Sequence, residues 1–214
     1  MNTRHKLTRR GFFSVFAACL SAVAALNLAV PSAQAAAITG RPAPAFSEKD
    51  SNGQTRSLAQ FKGRYVVLEW LNHDCPFVKK HYNSGNMQKL QRETRKQGVV
   101  WLSVNSSAAG KQGHHNGTET NKLTQQKKAS PSAVLLDGDG SMGRAYGAKT
   151  SPHMIVINPQ GVVIYNGAID DKPTTDVADV KGAKNYVTAA LAQARKGQKV
   201  SVPRTQPYGC AVKY

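Results

Sequence analysis

Glu69-Trp70-Leu71-Asn72-His73-Asp74-Cys75-Pro76-Phe77-Val78 runs from the end of an apolar stretch into the start of a helix, with a cysteine at the corner. The stretch before it, Tyr65 to Leu71, is almost continuously apolar and rich in strand formers, as expected of a central strand covered on both faces. Glu69 interrupts that run, which places a carboxylate in or near the interior, where it would relay protons or reach a polar edge. Pro76 marks the first helical turn, where its missing N–H costs nothing. A helix start carries unpaired N–H groups and a partial positive charge, which favour the ionised, reactive form of a thiol placed there. Cys75 therefore reads as a nucleophile. The competing reading is a small, inert, buried residue, the commoner fate of free cysteines.

On either side of this corner the chain alternates helix and strand. Phe46 to Arg56 holds a turn, Asp50-Ser51-Asn52-Gly53, between two short extended pieces, an N-terminal β-hairpin. Ser57 is placed to cap a short helix over Leu58 to Phe61. After Cys75 one helix runs to Asn83-Ser84-Gly85, and a second covers Asn86 to Gln97 with Met87 and Leu90 inward. Lys89, Arg92, Arg95 and Lys96 form its solvated face. Val99 to Val104 is the next core strand, and the β-α-β passage implies a parallel pair with a right-handed crossover. A loop over Ser106 to Gly117 carries His114 and His115, a solvent-facing pair. It leaves the C-terminal end of a parallel strand, the edge where sites collect in such sheets. Thr118 to Lys128 is expected to be helical, Ala133 to Leu136 a strand, and Met142 to Tyr146 a short helix capped by Ser141. Asp137-Gly138-Asp139-Gly140 lacks the further ligands of a calcium loop and reads as a turn. Ser151-Pro152 precedes another core strand, His153 to Ile157, which returns antiparallel over Val162 to Asn166 and makes the sheet mixed. Ala168 to Gly182 reads as a polar surface insertion. Lys184 to Lys196 has Tyr186, Val187, Ala190 and Leu191 at helical spacing, and an extended tail over 197–214 holds Cys210.

The first 35 residues read as an export signal. Arg4, Lys6, Arg9 and Arg10 precede an apolar run from Gly11 to Val30, and Pro31 to Ala35 ends in small residues that fit cleavage near Ala35. Thr8-Arg9-Arg10-Gly11-Phe12-Phe13 has the look of a twin-arginine signal, with an ordinary secretory signal, lipidation at Cys19 or an uncleaved anchor as the alternatives. Residues 36–214 then form one domain, placed in the periplasm, with no stable membrane insertion after cleavage. The chain's net charge is +17, and loss of the leader's four basic side chains leaves +13. Export and the lack of a basic-aromatic pattern argue against nucleic acid; a solvated basic surface, or attraction to an anionic envelope or acidic partner, accounts for the charge. Of the three cysteines in the chain, Cys75 and Cys210 remain after processing, a pair in an oxidising compartment.

The element order, the cysteine at the first long helix and X-Pro before a core strand together resemble the thioredoxin fold. Pro44-Ala45-Phe46, Ser57-Leu58 and Phe61-Lys62-Gly63 resemble its redoxin branch, which includes peroxiredoxins of the alkyl hydroperoxide reductase/thiol-specific antioxidant type. The resemblance implies an α/β domain with a mixed central sheet flanked by helices, a cis Pro152 facing Cys75, and no cofactor. Three features depart from the family's patterns: Val78 stands where a thioredoxin has its second cysteine, and Asn72 and Leu68 stand where peroxiredoxins have Thr or Ser and Pro. No peroxide-polarising arginine is assigned.

The main expectation is thus an exported peroxiredoxin-like oxidoreductase. Cys75 reduces peroxide or a disulfide, Cys210 resolves the product, and an exported thiol reductant recycles the pair. Asn72, His73, Pro152 and His153 support the site. One alternative is thiol–disulfide exchange with protein substrates, an extended substrate pairing with the backbone at Pro152. Another is a copper site in which His73, Cys75 and His153 converge. A further one is a permanent Cys75–Cys210 staple, worth about 4–5 kcal/mol for so long a loop on the chain-entropy model. Oligomeric state is left open.

Overall fold

The computed structural model describes residues 1–3 and 37–214. The leader expected over 1–35, with its twin-arginine run, Cys19 and the cut near Ala35, lies outside the described residues apart from the first three. From residue 37 onward the chain forms one compact unit. No helix among the described residues is long and apolar enough to cross a membrane.

The N-terminal hairpin pairs β1 (Ser47–Lys49) with β2 (Thr55–Ser57) around an Asx turn, Asp50 Oδ1 accepting from the N–H groups of Asn52 and Gln54 at 2.9 and 3.0 Å. A 3-10 turn over Leu58–Phe61 leads into β3 (Val66–Trp70). There follow α1 (Pro76–Asn83), α2 (Asn86–Lys96), β4 (Val100–Asn105), α3 (Gly117–Gln126), β5 (Ala133–Leu136) and α4 (Ser141–Tyr146). The two-residue strand β6 (Thr150–Ser151), then β7 (His153–Ile157), β8 (Val163–Gly167), a 3-10 turn over Val177–Gly182, α5 (Tyr186–Arg195) and β9 (Cys210–Ala211) complete the order.

Five strands form the central sheet in the order β5-β4-β3-β7-β8. The first three are parallel and the last two antiparallel to their neighbours, so the sheet is mixed as expected. The period-two alternation of strands sorts their side chains onto two cores. Val66, Leu68, Trp70, Val104, Ile155 and Tyr146 pack on one face. Val67, Cys75, Val78, Trp101, Met154 and Val187 pack on the other, beneath α1, α2 and α5. A strand with a core on each face has no solvated side, which is why β3 shows no polar alternation.

Two local expectations change. Ser141 is the first residue of α4 rather than its cap. Gly140 takes that position at φ 71°, and the buried Asp137 carboxylate accepts from Met142 N and Gly143 N at 3.0 and 2.8 Å. The acidic turn is therefore a helix cap. Ala168–Gly182, read as a polar insertion, begins inside: Ala168, Ile169 and Asp170 are buried, and Tyr165 Oη donates to Ala168 O at 2.5 Å. Ile169 packs in the same core as Tyr165 of β8, and the chain turns out to solvent only after Asp170.

Glu69 is fully buried on the Cys75 face of the sheet and accepts four side-chain hydrogen bonds. Tyr82 Oη (2.8 Å) donates to one oxygen, and Trp101 Nε1 (2.7 Å), Ser103 Oγ (2.9 Å) and Gln91 Nε2 (3.1 Å) to the other. Burial raises its pKa and the donors oppose the rise. The carboxylate ties β3 to β4, α1 and α2 at one point. Replacing it with alanine would strand four buried donors. Glu69→Ala is expected to lower the unfolding free energy by about 3–5 kcal/mol, read as a lower urea midpoint, with Glu69→Gln losing less.

Candidate active site

Cys75 occupies the N-cap of α1, with Pro76 at the first helical position. The polar residues before it form the turn that puts it there. Cys75 N donates to Asn72 O at 3.0 Å, and Asn72 Oδ1 accepts from Asp74 N at 2.9 Å. The Asn72 amide nitrogen donates to Gln112 O at 3.3 Å, anchoring the loop after β4. A Cβ at Gly113 would stand 2.3 Å from the Asn72 side chain, so that approach requires glycine. Asn72 is thus engaged on both ends of its amide in holding the corner. These bonds place Asn72 among the residues that hold Cys75 in position.

The Ser151–Pro152 peptide bond is cis, and its neighbourhood lies against Cys75 as the resemblance implied. The Cys75 thiol donates to Ser151 O at 3.1 Å. The C-terminal tail then covers the sulfur: β9 pairs antiparallel with β6, setting Cys210 opposite Ser151. Cys210 N donates to Cys75 Sγ at 3.4 Å, and the two Sγ atoms are 2.6 Å apart. The two cysteines are not equivalent. Cys75 is 1 % exposed, whereas Cys210 is part-exposed at the edge. Burial, and then its neighbour Cys75, push the Cys210 thiol up to about 11.

The supporting histidines separate. His73 is buried, edge-on to the Tyr82 ring at 5.2 Å between centroids, and its Nδ1 has no partner among the described residues. Burial, helped by the charges of Lys127 and His115, lowers its pKa to about 4, so it is neutral at pH 7. His153 lies on the other face of the sheet, against Trp70 at 6.2 Å. Its Nδ1 accepts from Lys149 N at 3.2 Å and its Nε2 donates to Asn166 Oδ1 at 2.7 Å. The expected convergence of His73, Cys75 and His153 on a metal does not occur, because successive residues of a strand point to opposite faces and His153 shares its face with Ile155. Among the described residues no three metal-ligating side chains cluster.

Sequence reasoning missed the group that fastens the tail. Tyr208 donates through Oη to the buried Asp170 carboxylate, lies 3.2 Å from His81 Nε2, and packs on Phe77 with Lys80 Nζ 5.7 Å from its ring centre. Burial lowers the His81 pKa to about 4 against the pull of Asp170. The available signal was weak: apolar Ala168-Ile169 ahead of Asp170, and an aromatic two residues before the terminal cysteine. Farther on, Ala108 N donates to Lys213 O at 2.8 Å, and Tyr214 Oη donates to Ala148 O at 2.8 Å.

A family model described as Redoxin matches residues 38–185, more than half of the chain. The chain belongs to the Redoxin family. It stands within the thioredoxin-like superfamily that this fold defines. One curated relative, the thiol-disulfide oxidoreductase ResA of Bacillus subtilis, is 29% identical over 125 residues, 58% of this chain and 64% of that protein. The match thus spans somewhat less than two thirds of ResA. Among solved structures, an uncharacterized conserved protein from Geobacillus kaustophilus superposes with a TM-score of 0.70 at 22% identity, covering 83% of this redoxin and 92% of that chain. A thiol:disulfide interchange protein from Bacteroides sp. gives 0.50 at 20% identity, covering 68% and 88%. The family match ends at residue 185, so the tail that carries Cys210 lies beyond the redoxin core.

Two measurements check this arrangement. A Cβ at Gly209, where φ is +139°, would sit 2.1 Å from Ser151 O. Gly209→Ala should therefore lift the tail and speed alkylation of Cys75 at least about tenfold, read by mass spectrometry of the reduced protein. For His73, the unfolded chain takes a proton near the ordinary histidine value of 6.5 and the native state only near 4. The unfolded state therefore binds more protons between those values, and stability is lost as pH falls through that window. The loss is on the order of 3 kcal/mol at 1.36 kcal/mol per pKa unit. His73→Gln should flatten the fall of unfolding free energy between about pH 6.5 and 4 relative to wild type.

Proposed function

We propose that this redoxin is an exported thiol–disulfide oxidoreductase whose redox pair is Cys75 and Cys210. The observation that carries the reading is the 2.6 Å separation of two sulfurs 135 residues apart, beside the backbone of Ser151. Similarity to a protein named as a thiol-disulfide oxidoreductase supports the reaction class. The basic and apolar leader supports export, and with it a periplasmic location. The Asn72 amide, a candidate for reaching a peroxide oxygen, is committed to Gln112 instead.

In the oxidised protein Cys75 and Cys210 form a disulfide. A partner thiolate attacks the exposed sulfur, Cys210; the Cys75–Cys210 bond breaks, a partner–Cys210 disulfide forms, and Cys75 leaves as a thiolate at the start of α1. That position favours departure, because the helix end stabilises the charge that Cys75 acquires. A second partner thiolate then attacks the partner's sulfur. Cys210 departs and takes a proton, the partner gains a disulfide, and the pair has accepted two electrons. The reverse sequence reduces a partner disulfide, and an exported thiol or disulfide protein resets the pair. An extended partner segment would pair with the edge at Ser151 that β9 covers, so the tail must peel away before a protein substrate docks.

Equilibration in thiol–disulfide buffers should show a Cys75–Cys210 disulfide with a potential above about −300 mV; a lower value would mark a structural staple. Catalytic consumption of hydrogen peroxide by the purified protein would replace this reading with the peroxidase one.

A further inference from the structure

At the pole of the sheet opposite Cys75, where β4 and β5 begin, a cleft of about 610 Å³ is lined by five cationic side chains. They are Arg56, Arg64, Arg92, Arg95 and Lys96, set over an apolar floor that includes Phe61. No carboxylate lines the cleft. Nearby, Asp50 pairs with Arg56 at 2.8 Å, and it is the only acid bonded to any of the five among the described residues. Two of the guanidinium groups are held in place by backbone: Arg64 Nε donates to Gly98 O at 3.2 Å, and an Arg95 terminal nitrogen donates to Ser130 O and Ser130 Oγ, each at 2.9 Å. Each keeps further N–H donors beyond those bonds. Arg92 and Lys96 are exposed on α2 and make no ion pair among the described residues.

Like charges repel, and a solvated basic surface has no reason to gather four arginines and a lysine around one concavity and keep carboxylates out of it. Arginine predominates four to one, and the guanidinium fork is the group that matches phosphate and carboxylate oxygens in pairs of hydrogen bonds. The volume is that of a small-molecule site. We propose that this cleft binds a ligand carrying two or more clustered phosphate groups, either a free oligophosphate or a multiply phosphorylated lipid headgroup. Arg92 and Lys96 supply the unpaired charge, while Arg64 and Arg95 present donors already fixed in orientation. The site is independent of the redox pair and does not rest on the thiol–disulfide reading.

The test uses the purified full chain, with inorganic tripolyphosphate followed by calorimetry and cardiolipin–phosphatidylcholine vesicles followed by flotation. Arg92→Gln/Lys96→Gln removes two charges that make no internal bonds, so the fold should persist. Lys122→Gln/Lys181→Gln removes two exposed charges elsewhere. Saturable tripolyphosphate binding weakened at least about tenfold by the first pair and unchanged by the second supports the site with a soluble ligand. Vesicle binding with the same variant pattern supports it with a headgroup. Equal weakening by both pairs, or no binding to either probe, overturns it.

Discussion

Everything at the candidate site depends on a two-residue strand pairing. Thr150 and Ser151 expose one short edge of backbone, and Cys210 and Ala211 hydrogen-bond to it. That ladder brings the tail to the start of α1 and sets one sulfur against the other. So short a ladder would not hold by itself, and its stability comes from the clamps around it. Tyr208 is half-buried against Asp170 and Phe77 on one side, and Tyr214 is tied to Ala148 with the Arg144 guanidinium 4.5 Å from its ring centre on the other. Gly209 is where backbone approaches backbone too closely for any side chain.

The rest of the domain makes a rigid floor for that contact. β3 is sealed between two cores, and the Glu69 carboxylate fixes it to its neighbours through four donors. A buried carboxylate is costly unless it is hydrogen-bonded, and here both oxygens accept from the surrounding side chains. On the proposed mechanism the core is the fixed part and the tail the part that moves. The helix corner holds one thiol in a constant environment. The tail carries the other thiol, and its attachment decides how much of the first is open to a partner.

This division also explains how a redoxin core manages without a second cysteine in the first turn of α1. Val78 fills that place and packs into the core. The partner thiol arrives from beyond the family-matched region, 135 residues along the chain. Adjacent cysteines in one helical turn are held together by local geometry. Here the same proximity is a tertiary property, set by the pairing of β9 with β6.

The β-α-β order, the buried strand running into Cys75, the proline before β7 and the hairpin at the front were all legible in the sequence, because periodicity and turn chemistry are local. So was the pairing of Cys75 with Cys210 as a candidate, by composition alone. Which face each site residue takes was not legible. His153 and His73 both flank the corner in sequence or in fold, yet the alternation of β7 sends His153 into the opposite core. Asp170 looked like part of a polar loop and is instead the buried anchor of Tyr208. The gathering of Arg56, Arg64, Arg92 and Arg95 around one cleft also arises only when hairpin, sheet edge and helix are brought together. Local sequence specified the elements and the chemistry they carry. The meeting of distant groups was decided by the tertiary packing, since it depends on which surfaces the two cores bury and which edge of the sheet is left for the tail.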